Sequence, residues 1–179
     1  CRASEPCFFQ AFAAPVYTAA TLATRCLIRG ETRMRIVAAV DRSDFADRVV
    51  GMVRRLAAAE SSEVLLLNVA PREADVLGQQ LSRKVVQDPV PESLRDRREL
   101  LDRLAADLES SGARCSTLLV RGLPAKTIVQ EASSWSADLI VVGSQGRGMI
   151  YRRVLGSVSE QVLAARRFPV LVVPGEADS

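Results

Sequence analysis

Two stretches in the last quarter of the sequence combine residue types that could hold a phosphate. Gly143-Ser144-Gln145-Gly146-Arg147-Gly148 gathers glycines around a short turn, and Gly156-Ser157-Val158-Ser159-Glu160 follows it. A residue without a Cβ opens backbone angles closed to others and lets a phosphate approach the main chain. Ser157 with Glu160 three residues on has the spacing of a capping box, which predicts a helix opening at Ser157. The N–H groups of Gly156, Ser157, Val158 and Ser159 are then expected to converge at a helix start, a natural anion site. The Ser157 and Ser159 hydroxyls are further candidate donors to phosphate oxygens. Taken singly, a Gly-rich turn or a Ser-x-x-Glu box is only a turn or a helix start; the weight comes from where both fall in the fold.

The loop between the two stretches contains no Lys, so phosphate charge must be met by N–H groups, a divalent ion, or Arg147, Arg152 and Arg153. Those arginines suit a solvated surface equally well. Asp41, at the end of an apolar run, is the one carboxylate that can be placed near such a pocket, and it also suits a simple turn. The chain has no His, which removes imidazole acid–base chemistry and most zinc sites. No Walker lysine pattern or paired acids accompany Asp41, so no catalytic and no metal-binding residue is assigned. Cys1, Cys7, Cys26 and Cys115 form no CxxC pair, which points to reduced thiols and a cytoplasmic protein. A net charge of +3, with Lys and Arg scattered among Asp and Glu, gives no reason to expect nucleic acid.

The elements that must position these residues are legible from Met34 onward. Ile36 to Val40 is a short continuous apolar run, as in a strand buried on both faces of a parallel sheet. Ser43 is expected to cap the helix after it, with Asp44 and Asp47 at its positive end and Val49, Val50, Val53, Leu56 and Ala57 as its inner stripe. Val64 to Val69 predicts a second strand. After a connection containing Pro71, Pro89 and Pro91, a helix is expected over about 92–110, with Leu94, Leu101, Leu104 and Leu108 facing inward and Gly112 ending it. Ser116 to Val120 predicts a third strand. Gly122 turns the chain, and Pro124 suits the first turn of a helix bearing Ile128, Val129 and Ala132. Leu139 to Val142 and Val170 to Val173 complete five strands. The fold class this predicts is α/β: a doubly wound five-stranded parallel sheet with helices on both faces. Ligands in such folds bind past the carboxyl ends of the strands, where the strand order reverses. Asp41, Val69 and Gly143 stand at those ends.

Residues 1–33 read differently, with no charge between Glu5 and Arg25 and with Phe8, Phe9, Phe12 and Tyr17 among them. Pro15 and a scatter of Gln and Thr argue against a membrane span or signal peptide. The expected organisation is an extension over 1–33, one domain over 34–174 and a tail over 175–179.

Gly143-x2-Gly146-x9-Gly156-Ser157 resembles the Gly-x2-Gly-x9-Gly-Ser/Thr signature of the ATP-binding universal stress proteins. Asp138 to Ser144, Leu155 to Glu160, Phe168 to Pro174, and Ile36 to Asp41 with Ser43 are similar to the family's text around that signature. The resemblance implies a Rossmann-like fold of the adenine nucleotide alpha hydrolase kind, and a nucleotide-dependent regulatory module in stress response. It implies ATP as the ligand, with Mg or Mn left open as counter-ion. Phosphates fall to Gly143, Gly146, Gly156, Ser157, Val158 and Ser159, with Val142 and Gln145 beside them. Ala39, Val40 and Asp41 line the nucleoside side, and Val69 meets adenine through its backbone. Arg42 and Gln145 depart from the family's usual residues at their positions. A homodimer joined antiparallel through 170–173 is also implied, against the alternative that the extension covers that edge. A slow ATPase or phosphotransferase and a nucleotide-free interaction module stay open as alternatives.

Overall fold

Alternation along the chain decides which face each strand residue serves. Ile36, Ala38 and Val40 join one apolar cluster while Val37 joins a second, and all of them are buried. A strand whose successive side chains all find apolar partners must lie inside a sheet covered on both sides. The computed structural model describes residues 33–43, 45–59, 62–71, 93–144 and 155–175, and within them it bears this out. The elements run β1 (Arg35–Ala39), α1 (Phe45–Ala59), β2 (Glu63–Ala70), α2 (Leu94–Ser110), β3 (Arg114–Arg121), α3 (Pro124–Ser134), β4 (Leu139–Gly143), α4 (Ser157–Ala164) and β5 (Val170–Val173). The strands form one parallel sheet in the order β3-β2-β1-β4-β5. This is the predicted Rossmann-like fold, with the order reversing between β1 and β4.

One cluster packs the sheet against α1 and α2 through Val49, Val53, Leu101, Leu104 and Leu108. The other packs it against α3 and α4 through Ile128, Val129, Ala132 and Val162. Leu94 corrects the expected stripe: it is 40% exposed. Standing seven residues before Leu101, it lies about 10 Å further up the helix axis, where the stripe no longer has the core beneath it. Position 97, one turn below Leu94, is Arg, and it turns to a polar partner described below. Ser43 also departs from its expected role. Its N–H donates to Asp41 Oδ1 at 3.0 Å and its hydroxyl goes to the same oxygen, so it closes a turn instead of capping α1.

Two glycines answer to different physics. Gly112 has φ +85° just past the end of α2, the left-handed helix stop that the sequence predicts. Gly122 is needed for room: a Cβ there would sit 2.4 Å from Thr127 Oγ1. We expect Gly122→Ala to cost about 1–3 kcal/mol in urea denaturation, the usual range for overpacking. Adding Thr127→Ala, which removes the clashing oxygen, should recover most of that loss; no recovery would assign the cost to the backbone instead.

Candidate functional site

The strand order reverses between β1 and β4, and in sheets of this kind such a reversal is where a crevice opens past the carboxyl ends of the strands. Ala39 pairs with Val142 across it, so Val40 and Asp41 leave the sheet opposite Gly143 and Ser144. The strands stand about 4.8 Å apart here, and the chains diverge beyond them to opposite faces. Gln145 and Gly146, together with Arg147, Arg152 and Arg153, lie outside the described residues.

The start of α4 forms the polar wall. Gly156 is its N-cap, at φ −79° and ψ 157°, and Ser157 is the first helical residue. The expected capping box is therefore not formed. Glu160 N–H, which Ser157 would have had to satisfy, donates instead to Gly156 carbonyl at 2.9 Å. Gly156 N–H is also spoken for, donating to Ser144 carbonyl at 2.6 Å. That removes Gly156 from the expected set of phosphate donors. The Ser159 hydroxyl leaves it too: buried, it donates to Gly156 carbonyl at 2.8 Å and tightens the first turn. What remains are the main-chain N–H groups of Ser157, Val158 and Ser159, which have no acceptor one turn earlier in the helix, and the exposed hydroxyl of Ser157.

The opposite wall is backbone. β2 runs one residue past Val69, to Ala70, whose carbonyl accepts Gly122 N–H at 2.9 Å. Leu67 carbonyl accepts Val40 N–H at 2.9 Å. Main-chain groups of a parallel strand alternate sides residue by residue, so the N–H and C=O of Val69 point the same way as those of Leu67. β1 has ended by then, and the Val69 pair faces the crevice with no strand opposite. One donor and one acceptor so arranged suit a planar heterocycle that offers a ring nitrogen and an exocyclic amine.

The whole arrangement occupies the segment that matches a known family model. Residues 32–174 match the model of the universal stress protein family. The chain belongs to the universal stress protein family. A universal stress protein of Thermus aquaticus, encoded 3′ of a QAH/OAS sulfhydrylase, is 33% identical over 140 residues, which cover 77% of this chain and 96% of its own. Among solved structures, MJ0577 of Methanocaldococcus jannaschii superposes with a TM-score of 0.67 at 24% identity, over 82% of this chain and 99% of its own. A universal stress protein in complex with cAMP gives 0.58 at 25% identity, over 79% and 96%. The fold of this universal stress protein is thus that of its structural relatives.

Two residues that the sequence reading passed over hold the universal stress protein crevice in shape. Ser144 is buried, and its N–H donates to Val173 carbonyl at 2.7 Å while its hydroxyl accepts Gly175 N–H at 3.0 Å. With its carbonyl on Gly156, one residue ties the glycine turn, the cap of α4 and the exit of β5 together. Asn68 is the other, fully buried on a strand of leucines and valines. A polar residue in such a run is the signal that could have found it. Its partners, 28 and 29 residues away in sequence, could not be read there.

Cys115 stands outside the crevice, on β3. Burial pushes its thiol from the ordinary value near 9 up to about 11, Glu109 adds to the rise, and a bond with the Leu66 backbone opposes it. The folded state holds this proton longer than the unfolded chain, so the contribution is complete below about 9 and lost as pH rises towards 11. At pH 8 its thiolate fraction is roughly 100-fold below that of an ordinary cysteine. Iodoacetamide labelling of the native protein, resolved by peptide mass spectrometry, should leave Cys115 unmodified long after a free thiol has reacted. Labelling at the free-thiol rate would refute the burial argument.

No helix among the described residues is long and apolar enough to cross a membrane.

Proposed function

We propose that this universal stress protein binds an adenine nucleotide, ATP, in the crevice between β1 and β4, as a nucleotide-dependent regulatory module of the stress response in the cytoplasm. The observation that carries the reading is the first turn of α4, whose N–H groups at Ser157, Val158 and Ser159 find no acceptor among the described residues, directly after the strand at the switch point of the sheet. Charge-assisted hydrogen bonds contribute about 1.5–3 kcal/mol each. Three of them approach the roughly 8 kcal/mol of a micromolar complex, so no loop lysine is required. Gly143, Gln145 and Gly146 complete the phosphate loop, Val142 closes its floor with Ala39, and Mg or Mn serves as the nucleotide's own counter-ion. Adenine takes the backbone edge of Val69, and Ala39, Val40 and Asp41 line the sugar. A universal stress protein of the same fold, 25% identical, has been solved with cAMP, a ligand carrying the same base and sugar.

Binding is better supported than turnover. Asp41 Oδ1 is engaged by the N–H and hydroxyl of Ser43, so this oxygen closes a turn. The domain is taken as 34–174; residues 1–32 and 176–179 lie outside the described residues. A homodimer through β5 fits the outer edge of that strand, which pairs with no other described strand.

Thermal unfolding with and without nucleotide tests the reading. ATP at about 100 times its dissociation constant should add about 2.7 kcal/mol. For a domain of this size that is a rise of roughly 5–10 °C in Tm. Mass analysis of the small molecule released on denaturation should show an adenine nucleotide. No shift at millimolar ATP would leave a nucleotide-free interaction module as the reading.

A further inference from the structure

Asn68 is wholly buried, yet neither end of its amide is idle. Nδ2 donates to Val40 carbonyl at 2.8 Å, and Oδ1 accepts Arg97 Nη1 at 2.8 Å. The orientation of the amide is settled by chemistry, because a carbonyl can only accept and a guanidinium can only donate. Val40 is therefore pinned twice to β2, through its N–H to Leu67 carbonyl and through its carbonyl to Asn68. The next residue is Asp41, and the residue after Asn68 is Val69. The side chain thus fixes the distance and direction between two walls of the crevice, at the level where β1 has stopped and no ladder holds them.

α2 supplies the other half of the brace. Arg97 occupies a position on the helix where the stripe of Leu101, Leu104 and Leu108 continues upward, and it gives up apolar packing to reach Asn68. A second strut joins the same pieces, Arg42 Nη1 standing 3.6 Å from Asp96 Oδ2. It is about half exposed and contributes little. The burden falls on the buried amide. A leucine at 68 would pack as well as its neighbours but would leave Val40 carbonyl without its donor in the interior.

We infer that Asn68, held by Arg97, is a positioning residue for the nucleoside half of the site: it sets the gap between Val40–Asp41 and the Val69 edge into which the base and sugar enter. The inference rests on the nucleotide-binding reading above. The brace reaches neither Gly156 nor α4, so it governs base and sugar and not the phosphates.

Calorimetric titration of the full chain with ATP and with AMP tests it, using Asn68→Leu and Arg97→Met. Asn68→Leu should weaken both nucleotides by a common factor of about tenfold or more. The ratio of ATP to AMP affinity, which reads the phosphate end, should stay within about twofold of the wild-type ratio. Arg97→Met, made at the outer end of the brace where the core is untouched, should give a smaller loss of the same kind, roughly threefold, and Arg97→Lys should restore most of it. A role in folding alone would lower Tm and leave both affinities unchanged in the folded variants. Affinities within about twofold of wild type, or a collapse of the ATP-to-AMP ratio along with them, would overturn the inference. A wild-type chain that binds neither nucleotide would instead remove the reading on which it stands, and the inference with it.

Discussion

Gly156→Asp is expected to abolish ATP binding while leaving the protein folded. Gly156 sits at φ −79° and ψ 157°, extended backbone that any residue adopts, so the substitution imposes no backbone strain, although the position is buried. Asp is also among the preferred N-cap residues, because its carboxylate accepts the N–H groups of the first helical turn. Those are the donors at Val158 and Ser159 on which a phosphate would depend. The introduced carboxylate therefore competes for the same hydrogen bonds and repels the ligand's charge across a few ångströms. Losing two charge-assisted bonds of about 1.5–3 kcal/mol each weakens binding by at least roughly 100-fold. Calorimetry should show the loss, with a cooperative melting transition retained. Gly156→Ala is the control: it adds a Cβ without charge or acceptor, and should cost far less affinity. Equal losses for both variants would mean that bulk at position 156, not competition for N–H groups, excludes the nucleotide.

Val172→Pro should dissociate the homodimer proposed above while leaving the β4–β5 ladder intact. Pro169 carbonyl accepts Ile140 N–H and Val173 carbonyl accepts Ser144 N–H, at 3.0 and 2.7 Å. Odd-numbered residues of the strand thus face β4, and alternation turns the main-chain groups of Val170 and Val172 outward. Nothing described lies beyond β5 in the sheet order, so among the described residues those groups are unpaired, an edge of the kind that pairs with a second chain. In the ladder proline at 172 removes only an outward N–H, which an edge strand tolerates. Its ring takes the place of a half-buried valine packed on the cluster under α3 and α4, so some loss of Tm accompanies the change. In a two-fold antiparallel pairing the loss counts twice. At about 1–1.5 kcal/mol per bond this raises the dimer dissociation constant roughly 30- to 150-fold. Sedimentation equilibrium reads it directly. A variant that still sediments as a dimer would place the contact elsewhere, and a wild-type monomer whose β5 pairs only after residues 1–33 are removed would assign the edge to the chain's own extension.

The fold was legible because its signals are local. Apolar runs located all five strands to within two residues, and Pro124 and Gly112 marked the helix boundaries they mark in the structure. Gly143, Val142, Ala39 and Val40 meet at the reversal of strand order, as their positions at strand ends require. What escaped depends on partners distant in sequence or on geometry no pattern encodes. Glu160 lies three residues after Ser157, but the helix begins one residue earlier than a box would need, with Gly156 as its N-cap and Gly156 carbonyl taking Glu160 N–H. Gly122 reads as a turn residue and proves to be room for Thr127. Ser136 and Arg166 take left-handed conformations after α3 and α4, at φ 55° and 51°, where sequence alone would look for glycine. Ser144, Asn68 and Arg97 carry the shape of the crevice through bonds of long range, and only their polarity in apolar surroundings distinguishes them.

The most direct measurement is a titration of the ¹⁵N-labelled, nucleotide-stripped protein with ATP, followed by amide resonances. The largest shifts should fall on Ser157, Val158 and Ser159, with a second group at Val69, and AMP should reproduce the second group while weakening the first. Saturable ATP binding that leaves the amides at the start of α4 unmoved, or no response at millimolar ATP, would contradict a nucleotide held by its phosphates on bare main-chain donors.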